Sequence, residues 1–123
     1  MFYIKGWDIM SKLNPELVAK VISDSYSLKI LGAAYVKPRT IQSLALEYNI
    51  PIAAAYRRMK TLLKMGFLRC EKKILTKEGK RVGLYVSDVK SVHLTFQKGR
   101  LVVKVDTADS PEGETDVVNL LTT

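Results

Sequence analysis

One thiol, one imidazole and a ridge of guanidinium and ammonium groups are the chemistry-bearing features of this chain. Cys70 has no second cysteine to pair with, so no disulfide closes within the chain, and a reducing compartment suits it. It reads as a half-buried structural thiol rather than a redox switch. His93 falls beside Lys104 on the polar face of a strand and reads as a solvated histidine. Neither residue belongs to a Cys-x-Cys or His-x3-His spacing, so no transition-metal site and no cofactor are expected. No nucleophile elbow, Gly-rich phosphate loop or carboxylate pair accompanies the lone histidine, which argues against an enzyme.

The basic residues carry the stronger signal because of where they lie. Twenty Lys and Arg stand against twelve Asp and Glu, a net charge of +8 over 123 residues. All twenty lie at or before Lys104, whereas five acids (Asp106, Asp109, Glu112, Glu114 and Asp116) follow it. Residues 57–104 hold 14 basic residues and three acids. Such a field favours a polyanion, nucleic acid ahead of an anionic lipid surface.

The densest part is "NIPIAAAYRRMKTLLKMGFLRC", residues 49–70. At 100° per residue with Ala55 at the origin, Ile52, Met59, Leu62, Leu63 and Gly66 fall between about −20° and 80°. Ala53, Arg57, Lys60 and Lys64 fall opposite, between about 140° and 200°. No acid occurs across residues 50–70. A merely solvated helix usually mixes signs for i,i+4 support, and this one does not. The small alanines at the start of the ridge would let a backbone approach another surface closely.

Other elements must hold that helix, expected over 51–65. Asn14 can cap a first helix that Pro15 opens, with Leu13 stapled to Val18. Asp24 or Ser25 starts a second, whose Leu28, Ile30, Leu31 and Ala34 form an apolar face up to Tyr35. Pro38 biases Lys37 away from the α region and ends it. Thr40 caps a short third helix with Ile41, Leu44, Ala45 and Tyr48 on one side. "NIP" makes a tight corner, and Pro51 suits the first turn of the basic helix.

The C-terminal half reads as strands. "LRCEKKIL" and "RVGLYVS" flank a three-residue loop, Lys77-Glu78-Gly79, suited to a type I turn closed by a left-handed residue. That loop sets Ile74 opposite Val82 and Cys70 opposite Val86. Lys77, Lys80 and Arg81 crowd the tip, with Lys72 and Lys73 down the strand. In "SVHLTFQKGRLVVKVD" a two-residue loop at Lys98-Gly99 pairs Phe96 with Leu101, Leu94 with Val103 and Val92 with Val105. The other face then pairs Gln97 with Arg100, Thr95 with Val102, His93 with Lys104 and Ser91 with Asp106. The all-apolar face must pack on something, because an isolated hairpin is marginal in water.

A chain of this length makes one small domain with a short appendage. Lys5 and Asp8 interrupt the opening "MFYIKGWDIM", so it does not read as a signal sequence. No apolar run approaches the roughly 18–20 residues of a membrane span, and a cytoplasmic location is expected. The expected organisation is an N-terminal extension over 1–14, a helical and hairpin domain over 15–87, and a C-terminal β-hairpin over 88–106. An acidic, mobile tail over 107–123 follows, whose Val117, Val118, Leu120 and Leu121 are able to dock.

Helix, short helix, corner, long basic helix and basic hairpin, in that order, resemble a winged helix-turn-helix. More narrowly, "LKILGAA", "TIQSLALEYNI" and "AAYRRMKTLLKMGFL" resemble an archaeal or bacterial transcriptional regulator of the ArsR type, over residues 15 to about 87. Lys29-Ile30-Leu31, Tyr56-Arg57 and Leu62-(x)3-Gly66-Phe67 match that family's pattern. The resemblance implies an α+β fold with three to four helices and a two-stranded wing, here with an additional C-terminal β-hairpin. The chain departs from the family's metal sensors, whose clustered Cys, His and carboxylate ligands it lacks.

In this reading the protein binds double-stranded DNA with the 51–65 helix in the major groove and the 68–87 wing on the backbone or in the minor groove. Ile52 and Ala53 meet base edges or thymine methyls, while Tyr56, Arg57 and Arg58 reach bases or phosphates. Lys60, Lys64, Lys72, Lys77, Lys80 and Arg81 meet the backbone, and Thr40 completes the set. A homodimer reading two half-sites is expected. Its contact surface is either the segment bearing Phe2, Tyr3, Ile4, Trp7 and Ile9 with the first helix, or the Val92–Val105 hairpin face. The alternatives are a winged-helix module for RNA or protein partners, and a surface for anionic lipid, which needs an exposed apolar stripe beside the charges.

Overall fold

A side-chain oxygen opens each of the first three helices. Asn14 Oδ1 accepts from the backbone N–H of Glu16 at 2.9 Å and starts α1, Pro15–Ile22. Asp24 Oδ2 accepts from Ser27 N at 3.0 Å and starts α2, Ser25–Val36. Thr40 Oγ accepts from Ser43 N at 3.1 Å and starts α3, Ile41–Glu47. Asn14 and Thr40 are the caps that residue type predicts, and at α2 the cap is Asp24, one of the two candidates Asp24 and Ser25. The long helix α4, Ile52–Met65, has no such oxygen: Pro51 occupies its N-cap, so the helix begins one residue after the expected start. Asn49, in the left-handed region at φ 56°, makes the corner between α3 and α4.

This computed structural model describes residues 14–107 and 116–120, which form an α+β arrangement of helices and antiparallel strands. They divide into two compact units. Residues 24–88 hold α2, α3, α4 and a hairpin of β1, Arg69–Leu75, and β2, Arg81–Val86. Ile30, Leu44, Leu62, Met65 and Phe67 are its most deeply buried large side chains, along with Ile41. The far edge of β2 is held too, by an antiparallel bridge in which Arg39 and Tyr85 exchange backbone hydrogen bonds of 3.0 and 2.8 Å.

The second unit is discontinuous. It joins α1 to the strands β3, Val89–Gln97, β4, Arg100–Thr107, and β5, Asp116–Leu120, which pair antiparallel in that order. Helix α1 packs on β4 and β5, and Val18, Val21, Val103 and Val105 are buried. So α1 belongs with the C-terminal strands, not with the 15–87 domain that the sequence suggests. Part of the expected tail is likewise a strand: 116–120 pairs with β4, with Val103 opposite Val118 and Leu101 opposite Leu120. The remainder of that tail, and the staple by Leu13, lie outside the described residues.

The C-terminal hairpin keeps the expected register at all seven pairs, from Gln97–Arg100 to Ser91–Asp106. Lys98 at φ 53° and Gly99 at φ 76° supply the two left-handed residues that a tight two-residue turn demands. Its apolar face is buried only at the end distant from the turn. Val103 and Val105 are covered, but Leu94 and Phe96 are exposed, contrary to the one-sided burial expected. In the first hairpin, Ile74 faces Val82 as expected, but the strand slips between Cys70 and Lys72. Cys70 therefore opposes Tyr85 instead of Val86, and its thiol is exposed rather than half-buried. A bulge of this kind is invisible to alternation alone.

Helix α4 ends at Gly66, where φ is 78° and the N–H groups of Phe67 and Leu68 both bond the carbonyl of Leu62. A Cβ at Gly66 would meet no atom, so its cost is purely that of the left-handed backbone. Exposed Gly32, inside α2, also has open space but ordinary helical geometry. The same substitution should therefore act with opposite signs. Gly66→Ala is expected to destabilise by about 1 kcal/mol and Gly32→Ala to stabilise by about 0.5–1 kcal/mol, read from urea midpoints at unchanged slope.

Candidate nucleic-acid interface

Helix α4 buries Ala54, Ala55, Met59, Leu62 and Met65. Relative to the expected face, this one is turned by roughly 60° toward Ala54 and Met65. The turn has two consequences. Ile52, expected inside, is exposed at 49% and joins Ala53 on the surface of the first turn. Arg58 moves to the edge of the buried face. Arg57, Lys60 and Lys64 stay on the exposed side, as the spacing predicts.

Arg58 is held within the fold. Its Nε donates to Asp24 Oδ2 at 2.8 Å, a second nitrogen lies 3.3 Å from Oδ1, and the guanidinium stands 5.7 Å from the centre of the Tyr26 ring. Asp24 thus grips α4 with the same carboxylate that caps α2. The hydrogen bond from Arg58 holds the Asp24 carboxyl far below the usual carboxylate range, against the opposing effect of burial. The same bond pushes the Arg58 guanidinium up. Arg58 is accordingly removed from the contact set and becomes a structural residue.

Other acids are also matched by arginines. Arg39 pairs with Glu47, and Arg69 reaches Asp88 at 2.6 Å. Among the described residues no ion pair engages Arg57, Lys60, Lys64, Lys73, Lys80 or Arg81. The ridge and much of the hairpin are therefore left with uncompensated charge.

The hairpin has two faces. Register places Lys73, Arg81, Gly83 and Tyr85 on one, and Lys72, Ile74, Val82 and Leu84 on the other. Lys72 thus stands apart from Arg81, although the sequence groups them. Lys77 sits in the connecting turn, where Gly79 at φ 84° donates its N–H to the Thr76 carbonyl at 2.9 Å. Between the first hairpin face, α3 and α4 lies a cleft of about 330 Å³, lined by Gln42, Tyr56, Lys73, Lys80, Arg81 and Tyr85. Gln42 Nε2 donates to the Tyr56 hydroxyl at 2.6 Å and ties α3 to α4.

The structure therefore sorts the predicted contact residues into groups. Ile52, Ala53, Arg57, Lys60 and Lys64 share the exposed side of α4. Tyr56, Lys80 and Arg81 meet at the cleft. Thr40 uses a lone pair for its cap, while its O–H remains able to donate. Sequence reasoning missed Gln42 and Tyr85, and did not place Lys73 in the contact set. Tyr85 had a readable signal: it follows Gly83 by two residues, so its ring can lie over the bare glycine on the same face. A Cβ built on Gly83 would lie 2.7 Å from the Tyr85 hydroxyl oxygen. Gln42 had no such signal.

Among the described residues no cluster of three His, Cys, Asp or Glu side chains is placed to hold a metal ion, and no helix is long and apolar enough to cross a membrane. His93 is exposed opposite Lys104. No protein-family model matches the chain, and no curated protein matches it.

The Asp24–Arg58 pair gives stability a pH dependence. A depressed folded-state value means that its contribution is complete above the carboxyl's ordinary value of 3.8 and fades as pH falls below it. Both side chains keep about a third or less of their exposure (31% and 26%), which moderates the gain. Asp24→Asn retains a capping oxygen but loses the charge. It is expected to cost about 1–2 kcal/mol at neutral pH, with the gap from wild type narrowing as pH is lowered from about 5 to 2, by urea melts.

Proposed function

We propose that residues 24–88 form a winged helix-turn-helix that binds double-stranded DNA, and that the protein acts as a transcriptional regulator without catalytic activity. The observation that carries this reading is the exposed ridge of α4. Arg57, Lys60 and Lys64 lie opposite the buried face, no acid shares the helix, and no ion pair neutralises them. In α2, α3, the corner at Asn49, α4 and the hairpin, the element order is that of the motif the sequence resembles.

In this reading α4 enters the major groove with Ile52 and Ala53 leading. Tyr56 and Arg57 reach base edges or adjacent phosphates, and Lys60 and Lys64 neutralise the backbone. Lys77, Lys80 and Arg81 bring the wing to the neighbouring phosphates, with Thr40 donating to another. Few side chains offer direct base readout, so sequence preference leans on Arg57, Tyr56 and DNA shape. One helix with one wing covers too few base pairs for high specificity. The protein therefore acts as a homodimer on two half-sites about 10 bp or a multiple apart.

Selection on random duplex DNA at stated salt tests the whole reading, an inverted repeat being the expected product. Arg57→Ala is expected to weaken specific binding by about 1–3 kcal/mol. Arg81→Ala should lower affinity alike for all sequences and flatten the salt slope by about one. Because Arg58 is held by Asp24, Arg58→Ala should lower stability yet change affinity less than Arg57→Ala does. Unchanged binding by a combined Arg57, Lys60 and Arg81 alanine variant would remove the DNA reading.

Assembly is read separately. Light scattering should report twice the 13.8 kDa chain mass at micromolar concentration. Trp7→Ala should shift that mass toward the monomer while leaving unfolding cooperative. A wild-type monomer that binds a single half-site would refute the dimer.

A further inference from the structure

The cleft between α3, α4 and the wing has a lining built for more than a bare anion. Three cations, Lys73, Lys80 and Arg81, converge on it, and no carboxylate lines it. Two phenols stand among them. Gln42 donates to the oxygen of Tyr56, which leaves the Tyr56 O–H free to donate elsewhere. Burial pushes the Tyr85 phenol up from its ordinary range, so it stays a protonated donor. Ile41 adds apolar wall. The missing side chain at Gly83 is what lets the Tyr85 ring lie where it does. The volume, about 330 Å³, lies at the low end of small-molecule sites, about 300–1,000 Å³.

We propose that this cleft binds a small organic anion, a phosphate or carboxylate carried on a compact apolar or aromatic body. The charged group meets Lys73, Lys80 and Arg81, with the two phenols donating to it. The body lies against the tyrosine rings and Ile41. Lys80 and Arg81 are also the wing residues assigned to DNA phosphates. An anion held between them therefore lowers DNA affinity, and DNA lowers the affinity for the anion by the same factor. Binding of the anion stands independently of the DNA reading; only this antagonism rests on it.

Amide NMR spectra of the full chain, titrated without DNA, test the binding. The probes are phenyl phosphate, benzoate and inorganic phosphate. Saturable shifts are expected at the cleft residues, with phenyl phosphate at least about fivefold tighter than inorganic phosphate because only the former buries an apolar body. Lys73→Gln and Arg81→Gln should each weaken phenyl phosphate by about fivefold or more. Lys29→Gln, the same charge change on exposed α2, should leave it within about twofold. Whichever of phenyl phosphate and benzoate binds tighter fixes the head group.

Equal affinity for phenyl phosphate and inorganic phosphate would overturn the assignment of an organic ligand. Equal weakening by all three variants would reduce the effect to general electrostatics and overturn the site. If no probe gives a saturable shift while duplex DNA moves the same amides, the cleft is a seat for the nucleic-acid backbone and the proposal falls. With binding established, phenyl phosphate should compete with duplex in the wild type but not in Lys73→Gln. Binding without competition would sink the antagonism and leave the ligand site standing.

Discussion

The carboxylate of Asp24 constrains two helices at once. One oxygen caps α2 through Ser27 N and Oγ, and the same group takes Arg58 from α4. Its free-energy share is modest. Burial of Ile30, Leu44, Leu62, Met65 and Phe67 contributes about 1.5–3 kcal/mol for each side chain, more than a half-solvated pair can supply. Hydrophobic burial is non-directional, however, and tolerates a helix turned by several tens of degrees. A guanidinium gripped at two points does not. With Arg58 drawn inward beside Asp24, the side of α4 bearing Arg57, Lys60 and Lys64 has to face outward.

That outward face is costly to leave alone. Arg57, Lys60 and Lys64 follow at i,i+3 and i,i+4 spacing, and each like-charge contact costs about 0.2–0.5 kcal/mol in an isolated helix. Glu or Gln at position 60 would relieve the repulsion at no packing cost, since Lys60 is exposed. The pattern is therefore mildly unfavourable for the isolated fold, and an anion beside it would relieve the repulsion.

Much of this was legible from residue types. Helix caps at Asn14, Asp24 and Thr40, the corner at Asn49 and the Lys98-Gly99 register all follow from local rules, because each depends on neighbours within a few positions. What was not legible depended on tertiary partners. The rotation of α4 follows from Asp24, which lies 34 positions before Arg58. The slip at Cys70 follows from a bulge that periodicity does not register. The third strand at 116–120 was hidden within an acidic tail because a small, acidic, Pro- and Gly-bearing stretch precedes it, and pairing with β4 supplies backbone bonds that composition does not reveal. The cleft draws on α3, α4 and both strands of the first hairpin, so Tyr56, Lys80 and Arg81 were legible as single basic or aromatic residues but their convergence with Gln42 and Tyr85 was not.

The interrupted layout of the sheet-bearing unit orders events in time. Residues 24–88 form a compact unit from one continuous span, so their core can form once that span has emerged. Helix α1 is made earlier yet waits longer, since the strands that cover it, β4 and β5, emerge only after residues 24–88. Until then Val18 and Val21 remain an open apolar stripe on a short helix that has little stability by itself. A chain released after residue 88 would carry that stripe uncovered beside the basic unit, a species prone to stick to other chains.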